Sequence, residues 1–96
     1  MTAYLIARVQ IRDPETYSQY AARTPAIIAK HGGRFLVRGG LTETLEGDTT
    51  EGRLVVVEFP SLDAARAFYH SPEYQEARDI RVPVSDAHFA IVAGVE

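Results

Sequence analysis

Residues 54 to 78, LVVVEFPSLDAARAFYHSPEYQEAR, constrain the fold more tightly than any other stretch of the chain. A run rich in β-branched and apolar residues reads as a strand, and it carries a single carboxylate, Glu58. Pro60-Ser61 turns that strand into an amphipathic helix from Leu62 to about His70, with Ser61 placed to cap it. Ser71-Pro72 then repeats the cap-and-proline signal and restarts a short helix through Arg78. Desolvating an unpaired carboxylate costs several kcal/mol, so Glu58 must have a partner.

The rest of the chain supplies the elements around this unit. Ala3 to Ile11 alternates as a half-buried strand, with Leu5, Ala7, Val9 and Ile11 on one face and Tyr4, Ile6, Arg8 and Gln10 on the other. Asp13-Pro14 starts a helix whose apolar stripe is Tyr17, Tyr20, Ala21, Ile27 and Ile28. Thr24-Pro25 is expected to kink or restart it, and Gly32-Gly33 to close it. Arg34 to Arg38 is a second strand, interrupted by Gly39-Gly40, and Leu41 to Glu46 can run on as an extended arm. Residues 47 to 52 form a turn, Arg53 to Phe59 the third strand, and the last strand lies within Val84 to Val95. The order strand, helix, strand, strand, helix, strand is the ferredoxin-like βαββαβ pattern, an α+β fold with helices on one face of an antiparallel sheet. The 96 residues make one domain, 1–96. Chains this short bury only about 60–65% of their surface, so association through the open sheet face into a dimeric α/β barrel is the natural supplement.

Composition narrows the function. The net charge is −3 with no basic cluster, which gives no electrostatic case for nucleic acid. Without cysteine there are no disulfides and no thiolate chemistry. The beginning, MTAYLIARVQ, lacks a charged stretch ahead of an apolar run, and no apolar run approaches the roughly 20 residues of a membrane helix. A cytoplasmic protein with no membrane partner is expected. His31, His70 and His88 lack metal-ligand spacing, the Gly-Gly pairs lack the phosphate-loop pattern, and no cofactor is expected.

Strict alternation places Ala7, Val9, Phe35, Val37, Val55, Val57, Phe59, Phe89 and Ile91 toward the helices. It leaves Arg8, Arg38, Glu58 and His88 among apolar residues on the opposite face. Arg38 is then the first expected partner of Glu58 and Arg8 the second. A structural salt-bridge network accounts for Glu58 as well as a ligand does. Tyr69, Ser71, Tyr74 and Arg78 gather at the helix break, with Tyr74 and Arg78 on one face. The functional reading makes Arg38, Glu58, Tyr69, Ser71, Tyr74 and Arg78 a ligand-binding set. The plain reading makes Ser71 a cap, the tyrosines packing aromatics and Arg78 a surface group.

The runs Gly32-Gly33-Arg34-Phe35-Leu36-Val37-Arg38-Gly39-Gly40, Leu45-Glu46-Gly47, Val56-Val57-Glu58-Phe59-Pro60-Ser61 and Ser71-Pro72-Glu73-Tyr74, with Tyr69 and Arg78, resemble the family called domain of unknown function 1330. It belongs to the dimeric α/β-barrel superfamily, and the resemblance covers nearly the whole chain. It implies a ferredoxin-like fold and a homodimer packed through the sheets, and it carries no reaction. The leading expectation is a homodimer binding a small polar or anionic organic ligand between sheet and helices. The alternatives are a cofactor-independent monooxygenase or isomerase with Glu58 or His88 as acid–base, and a structural or stress-related assembly module without a ligand.

Overall fold

The computed structural model describes residues 1–48 and 52–95. Strand β1 (Ala3–Ile11) leads to α1 (Pro14–Lys30), then β2 (Arg34–Arg38), β3 (Arg53–Phe59), α2 (Leu62–His70), α3 (Pro72–Arg81), a single 3-10 turn (Val82–Val84) and β4 (Ser85–Ala93). The sheet order is β2-β3-β1-β4, with every neighbour antiparallel. Of the turn expected at 47 to 52, Thr49, Thr50 and Glu51 lie outside the described residues. The extents of 33 × 31 × 16 Å fit two layers, one sheet and one layer of helices.

Each boundary has a local cause. The Asp13 carboxylate accepts from the Thr16 amide and hydroxyl at the start of α1. Hydrogen bonds to Thr16 hold that carboxyl below its ordinary range. Ser61 and Ser71 cap α2 and α3 in the same way, accepting from Ala64 and Tyr74. At the far end of α1, Gly32 takes φ +78° while its amide bonds the Ala29 carbonyl and the Gly33 amide bonds that of Ile28. That pair of bonds is a Schellman closure, which needs a left-handed residue where Gly32 stands. Helix α3 runs on past Arg78 to Arg81, which is buried.

The core lies between the sheet and the helices. Leu5, Ala7, Val9, Val57 and Phe59 from the strands meet Tyr17, Tyr20, Ile28, Ala65, Phe68 and Tyr74 from the helices. On the uncovered face, Val37, Val56, Ile6 and Ala90 fall in one register row across all four strands. Ile6, Leu36 and Val92 there are 40%, 45% and 47% exposed, a band of apolar surface that no helix covers.

Two expectations about this architecture need correction. Alternation sends Val37 to the helices and Arg38 to the open face, but a bulge shifts the β2 register between Phe35 and Val37. Val37 consequently pairs with Val56 and Arg38 with Val55, which exchanges their faces. Thr24-Pro25 is expected to kink or restart α1, and the helix does not restart there but runs unbroken from Pro14 to Lys30.

A cavity edged by tyrosines and arginines

The bulge and the proline have one joint consequence. Proline at position 25 has no N–H, so the Ala21 carbonyl four residues earlier loses its helical donor. The Arg38 guanidinium, turned to this side by the bulge, donates to that carbonyl at 2.8 Å, and the Thr24 hydroxyl approaches it at 3.3 Å. Arg38 also lies over the Phe35 ring, 4.5 Å from its centroid. The side chain thus bridges β2 and α1. Restoring an amide with Pro25→Ala should raise the melting temperature and uncouple the two positions. In a double-mutant cycle, Arg38→Ala should cost about 0.5–1.5 kcal/mol less in the Pro25→Ala background. Additive effects would mean that the two positions do not communicate.

Beneath this bridge is a cavity of about 30 Å³, room for one or two waters. Val57, Ile28 and Phe68 form apolar walls, and Tyr17, Tyr20, Thr24, Arg38 and Arg53 supply its polar edge. Gly39, at φ +71°, folds the chain so closely over Arg53 that a Cβ there would stand 2.7 Å from Nε. The Arg53 guanidinium lies 5.9 Å from the Tyr17 ring, and its buried Nε has no acceptor among the described residues.

Arg81 closes the inner end of the cluster. It is 4% exposed and lies 4.4 Å from the Phe89 ring centroid and 5.5 Å from that of Tyr20. Its Nε is also without an acceptor among the described residues. The Tyr20 and Tyr74 hydroxyls are 2.9 Å apart in the same layer. Burial pushes the Tyr17, Tyr20 and Tyr74 phenols above their ordinary range. Arg53 and Arg81 pull back on Tyr17, while the Tyr20 hydrogen bond and Arg81 pull back on Tyr74. Arg12, Arg23, Lys30, Arg34 and Arg66 each have a carboxylate within 3.2 Å. Arg8, on the open face, and Arg38, Arg53, Arg78 and Arg81 have none in ion-pair range among the described residues.

The residues singled out from sequence are divided among several places. Glu58 pairs with Arg34, directly opposite it, at 3.0 Å on the open face; neither Arg38 nor Arg8 is its partner. Arg8 sits opposite Leu54 and His88, four residues along β1 from the Tyr4–Glu58 pair, roughly 13 Å away. His88 is exposed on that same face. Ser71 is buried with its hydroxyl used twice, accepting from the Tyr74 amide and donating to the Phe68 carbonyl at 2.7 Å. Tyr69 stands half-buried between Tyr74 and Phe89, with ring centroids 5.3 and 6.3 Å away. Tyr69 also walls a separate groove of about 290 Å³ between α2 and β4. The Arg78 Nε is buried without an acceptor among the described residues. Tyr17, Tyr20, Arg53 and Arg81 are the residues that the sequence reading left out of the site. One signal was available: Tyr74, Arg78 and Arg81 fall at i, i+4 and i+7, a single helical face.

The profile of a family described as domain of unknown function (DUF1330) matches residues 2–95. The chain belongs to the DUF1330 family. No curated protein matches it in sequence. Among solved structures, this DUF1330 chain is similar to a protein of unknown function from Rhodopseudomonas palustris, with a TM-score of 0.76 and 20% identity over 99% of this chain and 83% of the other. It is also similar to a dimeric ferredoxin-like protein of unknown function from Jannaschia sp. CCS1, with a TM-score of 0.72 and 11% identity over 98% and 100% of the two chains. A third is SnoaB, a cofactor-independent oxygenase from Streptomyces nogalater, with a TM-score of 0.66 and 17% identity over 99% and 94%. At these identities the likeness establishes the ferredoxin-like fold.

Proposed function

We propose that this DUF1330 protein is a homodimer in which each subunit binds a small anionic organic molecule between sheet and helices. One observation carries the reading. Arg38 and Arg53 edge the cavity beside Tyr17 and Tyr20, Arg81 lies against Tyr20 behind it, and none of the three has a carboxylate in ion-pair range among the described residues. Of the three only Arg81 is buried, Arg53 being half-buried and Arg38 exposed, and guanidinium groups without an acid partner favour an anion that brings its own oxygen acceptors. The apolar walls favour an organic body on that anion. Because the enclosed space holds only one or two waters, a larger ligand enters by displacing Arg38 from the Ala21 carbonyl. The dimer rests on the apolar band of the open face and on a described relative that is itself dimeric. No helix among the described residues is long and apolar enough to cross a membrane, which accords with the cytoplasmic location we propose.

Thermal shift with benzoate and succinate tests the site. Ligand at a hundredfold excess over Kd should stabilise the native protein by about 2.7 kcal/mol. Arg53→Gln and Arg38→Ala should lose most of that gain. Equal shifts in wild type and both variants, or no shift with any small acid, would remove the basis for the site.

A second reading, cofactor-independent oxygenase or isomerase chemistry, is favoured by the Tyr20–Tyr74 hydroxyl pair, of which Tyr20 lines the cavity, rather than by Glu58 or His88, which face the other side of the sheet. Its mark is turnover that disappears in Tyr20→Phe while the fold is retained.

A further inference from the structure

The described part of the connection between β2 and β3 is exposed. Residues 40–48 leave the sheet after Gly39 with no strand partner, and all of them are exposed. Leu41 and Leu45 in this arm are 105% and 86% exposed, so within one subunit they are fully hydrated apolar side chains. Two leucines four residues apart on an extended chain point the same way, roughly 13 Å apart. The arm is also acidic, with Glu43, Glu46 and Asp48 and no cation.

The groove between α2 and β4 has the opposite character. Its floor is Leu5, Phe89 and Ile91, its wall is Tyr69, and its rim carries Arg66 and His70, one turn apart on the same face of α2. Asp63 already takes one Arg66 nitrogen, but this pair is exposed and the guanidinium fork has further donors. The groove opens beside β4, an edge strand of nine residues whose outer backbone groups have no partner strand in the sheet.

We infer that the arm of one subunit lies along the β4 edge of a second copy of this chain. Leu41 and Leu45 sit over the α2–β4 groove, and Glu43, between them on the same face, meets Arg66 and His70 at its rim. This inference rests on the homodimer proposed above. If the uncovered sheet faces pack about a two-fold axis parallel to the strands, the order β2-β3-β1-β4 sets the β2 edge of each subunit beside the partner's β4 edge. The arm departs from β2, and its nine residues reach up to about 30 Å when extended. Main-chain pairing with β4 would give affinity, and the leucines would give register.

The chain has no cysteine, so cross-linking reads this contact directly. Leu41→Cys or Leu45→Cys is mixed with Arg66→Cys or His70→Cys, allowed to exchange subunits and oxidised. At least one of the four mixtures should yield a disulfide-linked heterodimer, because that bond requires Cα atoms within about 7 Å. In parallel, Leu41→Ser/Leu45→Ser should raise the dimer dissociation constant at least about a hundredfold and leave the melting of the dilute subunit unchanged. A dimer that gives no heterodimeric cross-link and keeps its dissociation constant in the serine variant overturns the arm contact while the homodimer stands. A chain that sediments as a monomer at every concentration overturns both.

Discussion

Phe59→Ala is expected to lower the stability of the chain by about 3–5 kcal/mol, the range for an aromatic ring removed from a closed core. Phe59 is 0% exposed and its ring centroid lies 5.3 Å from that of Phe68, so the substitution removes a ring bridging β3 and α2. Domains of this size hold about 5–15 kcal/mol in total. The loss corresponds to a fall of at least about 12 °C in Tm, measurable by calorimetry or circular dichroism. Glu58→Gln, one position earlier on the opposite face, supplies the contrast. The Arg34 side chain of that pair is 71% exposed, so the change should stay within about 1 kcal/mol in the isolated subunit. Equal losses from the two substitutions would contradict the assignment of faces along β3.

Alkaline pH should unfold the protein steeply. Tyr17, Tyr20 and Tyr74 are held above their ordinary range, with burial the leading cause for each. Free phenols ionise near about pH 10. Below that value both states keep these protons and the full stability is present. Above it the unfolded chain releases protons that the native chain retains, so stability falls as pH rises. Each ring contributes up to about 1.4 kcal/mol per pH unit, and three together about 4. Folding free energy measured by urea titration at increasing pH should show this slope, and Tyr20→Phe should flatten it. A slope that Tyr20→Phe leaves unchanged would mean that this ring ionises freely within the fold.

Much of this architecture is legible in the residues because its signals are local. Asp13, Ser61 and Ser71 cap the helices they precede, and Gly32 ends α1, since each acts through bonds to neighbours a few residues away. The strands β1 and β3 follow plain alternation because neither carries the bulge. The β2 register could not be read this way. Nothing in Arg34-Phe35-Leu36-Val37-Arg38 distinguishes a regular strand from a bulged one, and one extra residue reverses every face beyond it. That reversal moved Arg38 from the open face to the cavity, while the register ahead of the bulge already sets Arg34 opposite Glu58. The uninterrupted α1 was hidden for a related reason: the group that satisfies the carbonyl freed by Pro25 comes from another strand. Ser71 caps α3, and Tyr69 packs between Tyr74 and Phe89. Arg53 and Arg81 escaped notice because only the folded chain shows which cations lack an acid.

The anchor for Arg38 is a main-chain oxygen, which no substitution at Ala21 can remove. Control of that anchor passes to position 25, where the ring of proline keeps a competing amide away. Two residues thirteen places apart in sequence therefore behave as one heritable unit. Across the DUF1330 family, a proline at this point of the first helix and an arginine at the end of the second strand should be gained and lost together.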